Sequence, residues 1–116
     1  MKLLFILNDP PYGTERTYNG LRLARSTAHK EGVETKLFLM GDAVAAAKSG
    51  QKVPNGYYNV GTMLDGVIRH GGVVGVCGSC TDARGIGEGE LVGGARRSSM
   101  DELAAWTLEA DKVLVV

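Results

Sequence analysis

The chain has 116 residues, 44% of them apolar and 22% charged, with thirteen Lys and Arg set against thirteen Asp and Glu. A length in this range makes one domain with its own core. A net charge of zero argues against electrostatic capture of nucleic acid or of an anionic membrane, and no apolar stretch approaches the roughly 20 residues that span a bilayer.

The first apolar run, residues 2–7, reads as a buried parallel strand. Asn8-Asp9-Pro10-Pro11-Tyr12-Gly13 ends it, because proline cannot continue a central strand. The run is too short for a signal peptide and lacks a small-residue cleavage site, which predicts a cytoplasmic protein. Two cysteines fit a reducing compartment better than a disulfide scaffold.

Thr14 is placed to cap a helix, with Tyr18, Leu21, Ala24 and Ala28 at helical spacing and Gly32 as the stop. Residues 33–40 predict a second strand, followed by a short alanine-rich helix over 43–48 and a loop over 49–58. Asn59 caps the next helix, in which Val60, Met63, Leu64, Val67 and Ile68 make an unbroken apolar stripe. Residues 73–76 predict a third strand. The glycine-rich stretch 86–97 shows no regular period, and its Gly85-Ile86-Gly87-Glu88-Gly89 core reads as a flexible lid. Ser99 with Glu102 predicts a capping box for a last helix with Met100, Leu103, Ala104, Thr107 and Leu108 on its buried side. Residues 113–116 close the chain as a strand. Trp106, Tyr57 and Tyr58 read as packing or interface residues. Strands alternating with helices predict a three-layer α/β/α sandwich with a mainly parallel central sheet.

In such sheets reactive groups gather beyond the carboxyl ends of the strands. Two loops lie there: Asn8 to Gly13, and Cys77-Gly78-Ser79-Cys80-Thr81-Asp82-Ala83-Arg84-Gly85. A thiol at a strand-to-helix turn meets free backbone amides, which favour the thiolate and raise its reactivity. Cys77 is therefore the candidate nucleophile and Cys80, three residues on, its candidate partner. Arg84 offers positive charge one turn further along, and Asp82 works against it. Asn8, Asp9, Tyr12 and Glu15 are positioned to line the first loop.

Other chemistries fit less well. A thioredoxin-like dithiol lies early in its chain with a proline later, whereas all three prolines here precede the motif. Four ligands are usual in a structural zinc site, and two Cys with two His fall short. His29 reads as a solvated helix residue, and His70 as a helix-terminal imidazole whose protonated form suits the dipole. No G-x-x-x-x-G-K-[ST] stretch exists to cradle phosphate. Arg96-Arg97-Ser98-Ser99 has charge for an anion or a neighbouring subunit.

Three segments together resemble a known group: Asn8 to Arg16, Val76 to Gly85, and Gly94-Ala95-Arg96-Arg97-Ser98-Ser99-Met100-Asp101-Glu102-Leu103 through Val113. They are similar to the DsrE/DsrF/TusD sulfur-relay family, and within it to the stand-alone, YchN-like members. The resemblance covers essentially the whole chain. It implies the α/β/α fold, assembly into homo-trimers or homo-hexamers, and a cysteine after a strand that carries sulfur as a persulfide. Cys77, with Gly85 eight residues later, matches that cysteine, and Cys80 stands where those members commonly have a small residue. Donors and acceptors would be proteins or small thiols, and no metal or organic cofactor is required. Two other functions stay open on the residues: a ligand- or protein-binding assembly module with structural cysteines, and a Cys-x-x-Cys dithiol redox protein.

Overall fold

The computed structural model describes all 116 residues. In chain order the elements are β1 (Lys2–Leu7), α1 (Arg16–Ala28), β2 (Glu34–Leu39), a 3₁₀ segment (Gly41–Ala47), α2 (Val60–Arg69), β3 (Val73–Cys77), α3 (Gly78–Ala83), a 3₁₀ turn (Glu88–Glu90), β4 (Ala95–Ser98), α4 (Met100–Glu109) and β5 (Lys112–Val115). The five strands form one sheet in the order β4-β3-β2-β1-β5, and every pairing is parallel.

Side chains alternate across the sheet and sort the helices into two layers. Leu7 packs against Gly20 of α1, and Thr35 of β2 shares a hydrogen bond with Thr27 of α1 at 3.1 Å. Leu3, Phe5, Leu37 and Leu39 therefore face α1 and α2, which pack side by side. On the other face, Trp106 of α4 meets Phe38 edge-on at 6.2 Å and lies over Gly75, where an added Cβ would stand 3.0 Å from the indole. The two layers enclose a core that includes Phe5, Leu7, Leu21, Leu37, Phe38, Leu64 and Val76, all fully buried. Each such side chain contributes about 1.5–3 kcal/mol through burial.

Several expectations need correction. The stretch without apolar period holds a strand, β4, because Ala95-Arg96-Arg97-Ser98 is a short edge strand. Edges carry charge that blocks further pairing, so no hydrophobic alternation marks it. Its glycine-rich approach is tied down: Glu90 accepts from the Gly87 amide at 2.9 Å, pairs with Lys48 at 3.1 Å, and its carbonyl accepts from the Ser49 amide. That is an anchored turn, not a lid. On α4 the buried side is rotated, with Leu103 and Trp106 inside, Met100 60% exposed and Leu108 89% exposed. The large indole takes the place over the sheet. Ser99 caps α4 by accepting the Glu102 amide at 3.2 Å. The reciprocal half of the box is absent, because the Glu102 carboxylate instead holds Arg96 and Ser98.

The start of α1 is at Arg16, one residue later than a Thr14 cap implies, since Thr14 donates to Asp9 at 3.3 Å. The alanine-rich segment is a 3₁₀ helix that begins at Gly41. His29 lies at the end of α1, not within it, and its ring lies against that of His70, tilted by 41° with centroids 3.6 Å apart. Desolvation, with His29 and Arg25 alongside, holds His70 below the usual imidazole range, so the protonated role expected for it is disfavoured.

Candidate functional site

Cys77 is both the last residue of β3 and the N-cap of α3. Its register partner in β4 is Ser98. The residue is only 6% exposed, yet it opens on a cleft of about 290 Å³ lined with Gly78, Ser79, Arg97, Ser98, Ser99 and Met100. The sulfur is thus shielded on the core side and reachable from one direction.

Electrostatics separate the two thiols. Burial pushes the Cys77 thiol up, but the Cys80 thiol, the Ser79 hydroxyl and the amides of Cys80 and Ser79 together outweigh it and hold Cys77 below the usual thiol range. The Ser79 Oγ lies 3.4 Å from Cys77 Sγ. Cys80 is shifted the opposite way, first by burial and then by its neighbour Cys77, against the pull of the Gly41 amide and Arg84. That amide donates to Cys80 Sγ at 3.2 Å. Gly41 can aim it there because its φ of +57° is open to glycine at little steric cost. The pair is unbridged, so Cys77 is the better nucleophile of the two and Cys80 stands as its protonated neighbour.

The remaining predicted residues divide. Arg84 closes α3, donating to the Cys80 carbonyl at 3.1 Å and to Asp42 at 2.8 Å. Its charge bears on Cys80 rather than Cys77. Asn8 reaches the site through its backbone: its carbonyl lies 3.5 Å from the Cβ position of Gly41. Asp9 is occupied within its own loop, accepting from Thr17 at 2.7 Å and from Thr14, with Arg16 3.8 Å away. Tyr12 donates to Gln51 at 2.6 Å, accepts the Val60 amide at 3.1 Å and stacks on Tyr58. These contacts hold the 49–58 loop to α2 and do not bring Asp9 or Tyr12 to the thiols. No three His, Cys, Asp or Glu side chains converge to hold a metal ion.

Arg97 stands out at the cleft. It grips Asp82 of α3 with both terminal nitrogens, at 2.7 and 2.9 Å. Asp82 is therefore neutralised by Arg97 and held below the usual carboxylate range, rather than opposing the thiolate as its sequence position suggests. The pairing spans fifteen residues and depends on β4 lying beside β3, which no local pattern announced.

The single five-stranded parallel sheet agrees with comparisons to known proteins. The model of the DsrE/DsrF-like family matches residues 1–116. The chain belongs to the DsrE/DsrF-like family. It is 43% identical to protein YchN of Escherichia coli K12 over 114 residues, 97% of each chain. It is 41% identical to the uncharacterized protein MJ0989 of Methanocaldococcus jannaschii, covering 98% of each. The crystal structure of YchN superposes with a TM-score of 0.93 at 42% identity, over 99% of this chain and 98% of that one. MTH1491 of Methanobacterium thermoautotrophicum, at 13% identity, shares the fold with a TM-score of 0.80, covering 99% and 98% of the two chains. This DsrE-like chain is accordingly a stand-alone α/β member of its family, and no helix in it is long and apolar enough to cross a membrane.

Proposed function

We propose that this protein is a sulfur carrier that holds sulfane sulfur as a persulfide on Cys77. One observation carries the reading: a cysteine whose pKa is lowered by its own turn opens on a cleft at the rim of the sheet. Membership of a family with a sulfur-relay role supports it. In the transfer, the Cys77 thiolate attacks the outer sulfur of a donor persulfide. The new S–S bond forms on Cys77, the donor's S–S bond breaks, and the donor leaves as a thiolate. The same exchange in reverse passes the sulfur to an acceptor thiol, protein or small molecule, without net oxidation. No organic cofactor or metal takes part in either step. Free thiols and persulfides persist in a reducing compartment, so the cytoplasm is the setting that fits this chemistry.

The carrier is also proposed to work as a homo-trimer or homo-hexamer. Val113 and Val115 are in register with Leu4 and Ile6, on the face that α4 covers alone. They are exposed there, as are Met100 and Leu108. Apolar area of this kind is what subunit contacts cover.

Intact mass of the freshly purified protein, before and after incubation with a persulfide donor, tests the reading. A gain of one sulfur that disappears in Cys77→Ser is expected. A loss of two hydrogens would instead mark a Cys77–Cys80 dithiol redox protein, which the spacing of the two thiols favours as the second reading. No change, together with two slowly titrating thiols, would leave a binding module with structural cysteines.

A further inference from the structure

Arg97 enters the cleft as a preorganised cation. Its guanidinium lies directly on the Gly78 backbone, the residue after Cys77. A Cβ built on Gly78 would stand 2.7 Å from both Cζ and Nε and 2.9 Å from Nη2. Glycine is thus the one residue type that lets the fork sit there unperturbed. Arg97 and Cys77 line the same cleft, and the neighbouring carboxylate of Glu102 is taken up by Arg96 and Ser98.

The partner of Arg97 shows what the fork accepts. Asp82 binds it with two parallel N–H···O contacts, the bidentate geometry a guanidinium makes with any carboxylate. Both side chains are well exposed, and exposed pairs of this kind contribute little, about 0–1 kcal/mol. Asp82 is therefore a displaceable stand-in: an incoming carboxylate exchanges with it at small cost.

We propose that Arg97 is a specificity-determining residue of the Cys77 cleft, and that the cleft takes small sulfur donors bearing a carboxylate near the reacting sulfur. This rests on Cys77 being the sulfur-accepting nucleophile. Arg97 receives the donor's carboxylate in place of Asp82, which sets the sulfane sulfur against Cys77 Sγ. During transfer, negative charge leaves Cys77 and builds on the donor's departing sulfur, beside the same guanidinium. A fixed cation at that spot favours the charge as it moves.

The experiment compares two reagents of similar shape and opposite demand: iodoacetate, which carries a carboxylate, and neutral iodoacetamide. Rates at Cys77 are read by site-resolved mass spectrometry on the folded protein at one pH. Taking the ratio of the two rates cancels any change in thiolate population. Arg97→Gln is expected to lower the iodoacetate-to-iodoacetamide ratio roughly three- to five-fold, the effect of one exposed charge contact. Asp82→Asn, which frees the fork, is expected to raise it. Arg97→Lys keeps the charge and should retain most of the ratio, which separates charge from packing. High salt should flatten all of these differences. A ratio indifferent to Arg97→Gln and Asp82→Asn, with Cys77 still labelled, overturns this inference alone. A Cys77 that neither reagent labels in the folded wild type overturns the carrier reading and this one with it.

Discussion

The Arg97 guanidinium lies over Gly78, so close that a Cβ on that residue would stand 2.7 Å from Cζ. The residue beside the nucleophile is therefore held small by a side chain from the neighbouring strand.

Gly78→Ala should evict Arg97 from this seat and break its grip on Asp82. The atoms displaced are the end of a flexible, half-exposed side chain, so the loss is that of an exposed ion pair, about 0–1 kcal/mol. A slightly lower urea midpoint with an unchanged m-value is the expected result. An alanine variant as stable as wild type would show that the guanidinium moves aside freely.

The two thiols should titrate apart. Cys77 is held below the usual thiol range and Cys80 above it, so thiolate absorbance should rise in two steps belonging to the pair. Cys77→Ser should leave a single step, lower than the upper step of the wild type, because Cys77 itself helps to raise Cys80. Cys80→Ala should move the lower step up, because the Cys80 thiol is the largest of the contributions that lower Cys77. A single step at the free-thiol value in the wild type would contradict both shifts.

His70 makes stability depend on acid. Its folded pKa is lowered from 6.5, chiefly by desolvation and then by His29 and Arg25. The unfolded chain therefore binds the proton more readily than the native one. Stability is unaffected well above the unfolded pKa and decreases as pH falls through it toward the lower folded value. Urea midpoints at pH 7.5 and pH 5.5 should differ in that direction, and His70→Gln should reduce the difference. His70 faces Arg25 of α1, His29 at its end, and Asp65 and Arg69 of its own helix across one cleft; the Asp65–Arg69 ion pair at 2.7 Å leaves little negative charge to offset the imidazolium.

The exposed apolar face should decide assembly. Leu108→Glu combined with Val115→Glu is expected to yield a monomer by light scattering where wild type gives a trimer or hexamer. Both side chains are exposed in the single chain, so the far-ultraviolet circular dichroism should not change. A wild type that remains monomeric at micromolar concentration would refute the proposed assembly.

Most of the fold was legible because burial on both faces of a parallel strand leaves a continuous apolar run. Lys2–Leu7 and Val73–Cys77 show it, and Glu34–Leu39 shows it in its second half, after an alternating start. The Asn59 cap and the Val60, Leu64 and Val67 stripe announced α2 in the same way. Cys77, at the end of one such run, was legible as a thiol on the rim of a sheet. Strand β4 was not, since an edge strand is selected for charge and not for periodicity. The buried side of α4 was misplaced because spacing alone cannot tell that one indole outweighs two smaller side chains in covering Gly75.

Amino-acid order by itself determined the alternation of strands and helices and the position of the reactive turn, because both depend on neighbours within a few residues along the chain. Only the tertiary structure decided the company Cys77 keeps. The pairing of β3 with β4 brings Ser98 and Arg97 to the cleft, and the contact of Gly41 with Cys80 sets the second thiol apart from the first. Those partners are about twenty to forty residues away in sequence, and their distances follow from sheet register and side-chain packing, which local propensity does not encode.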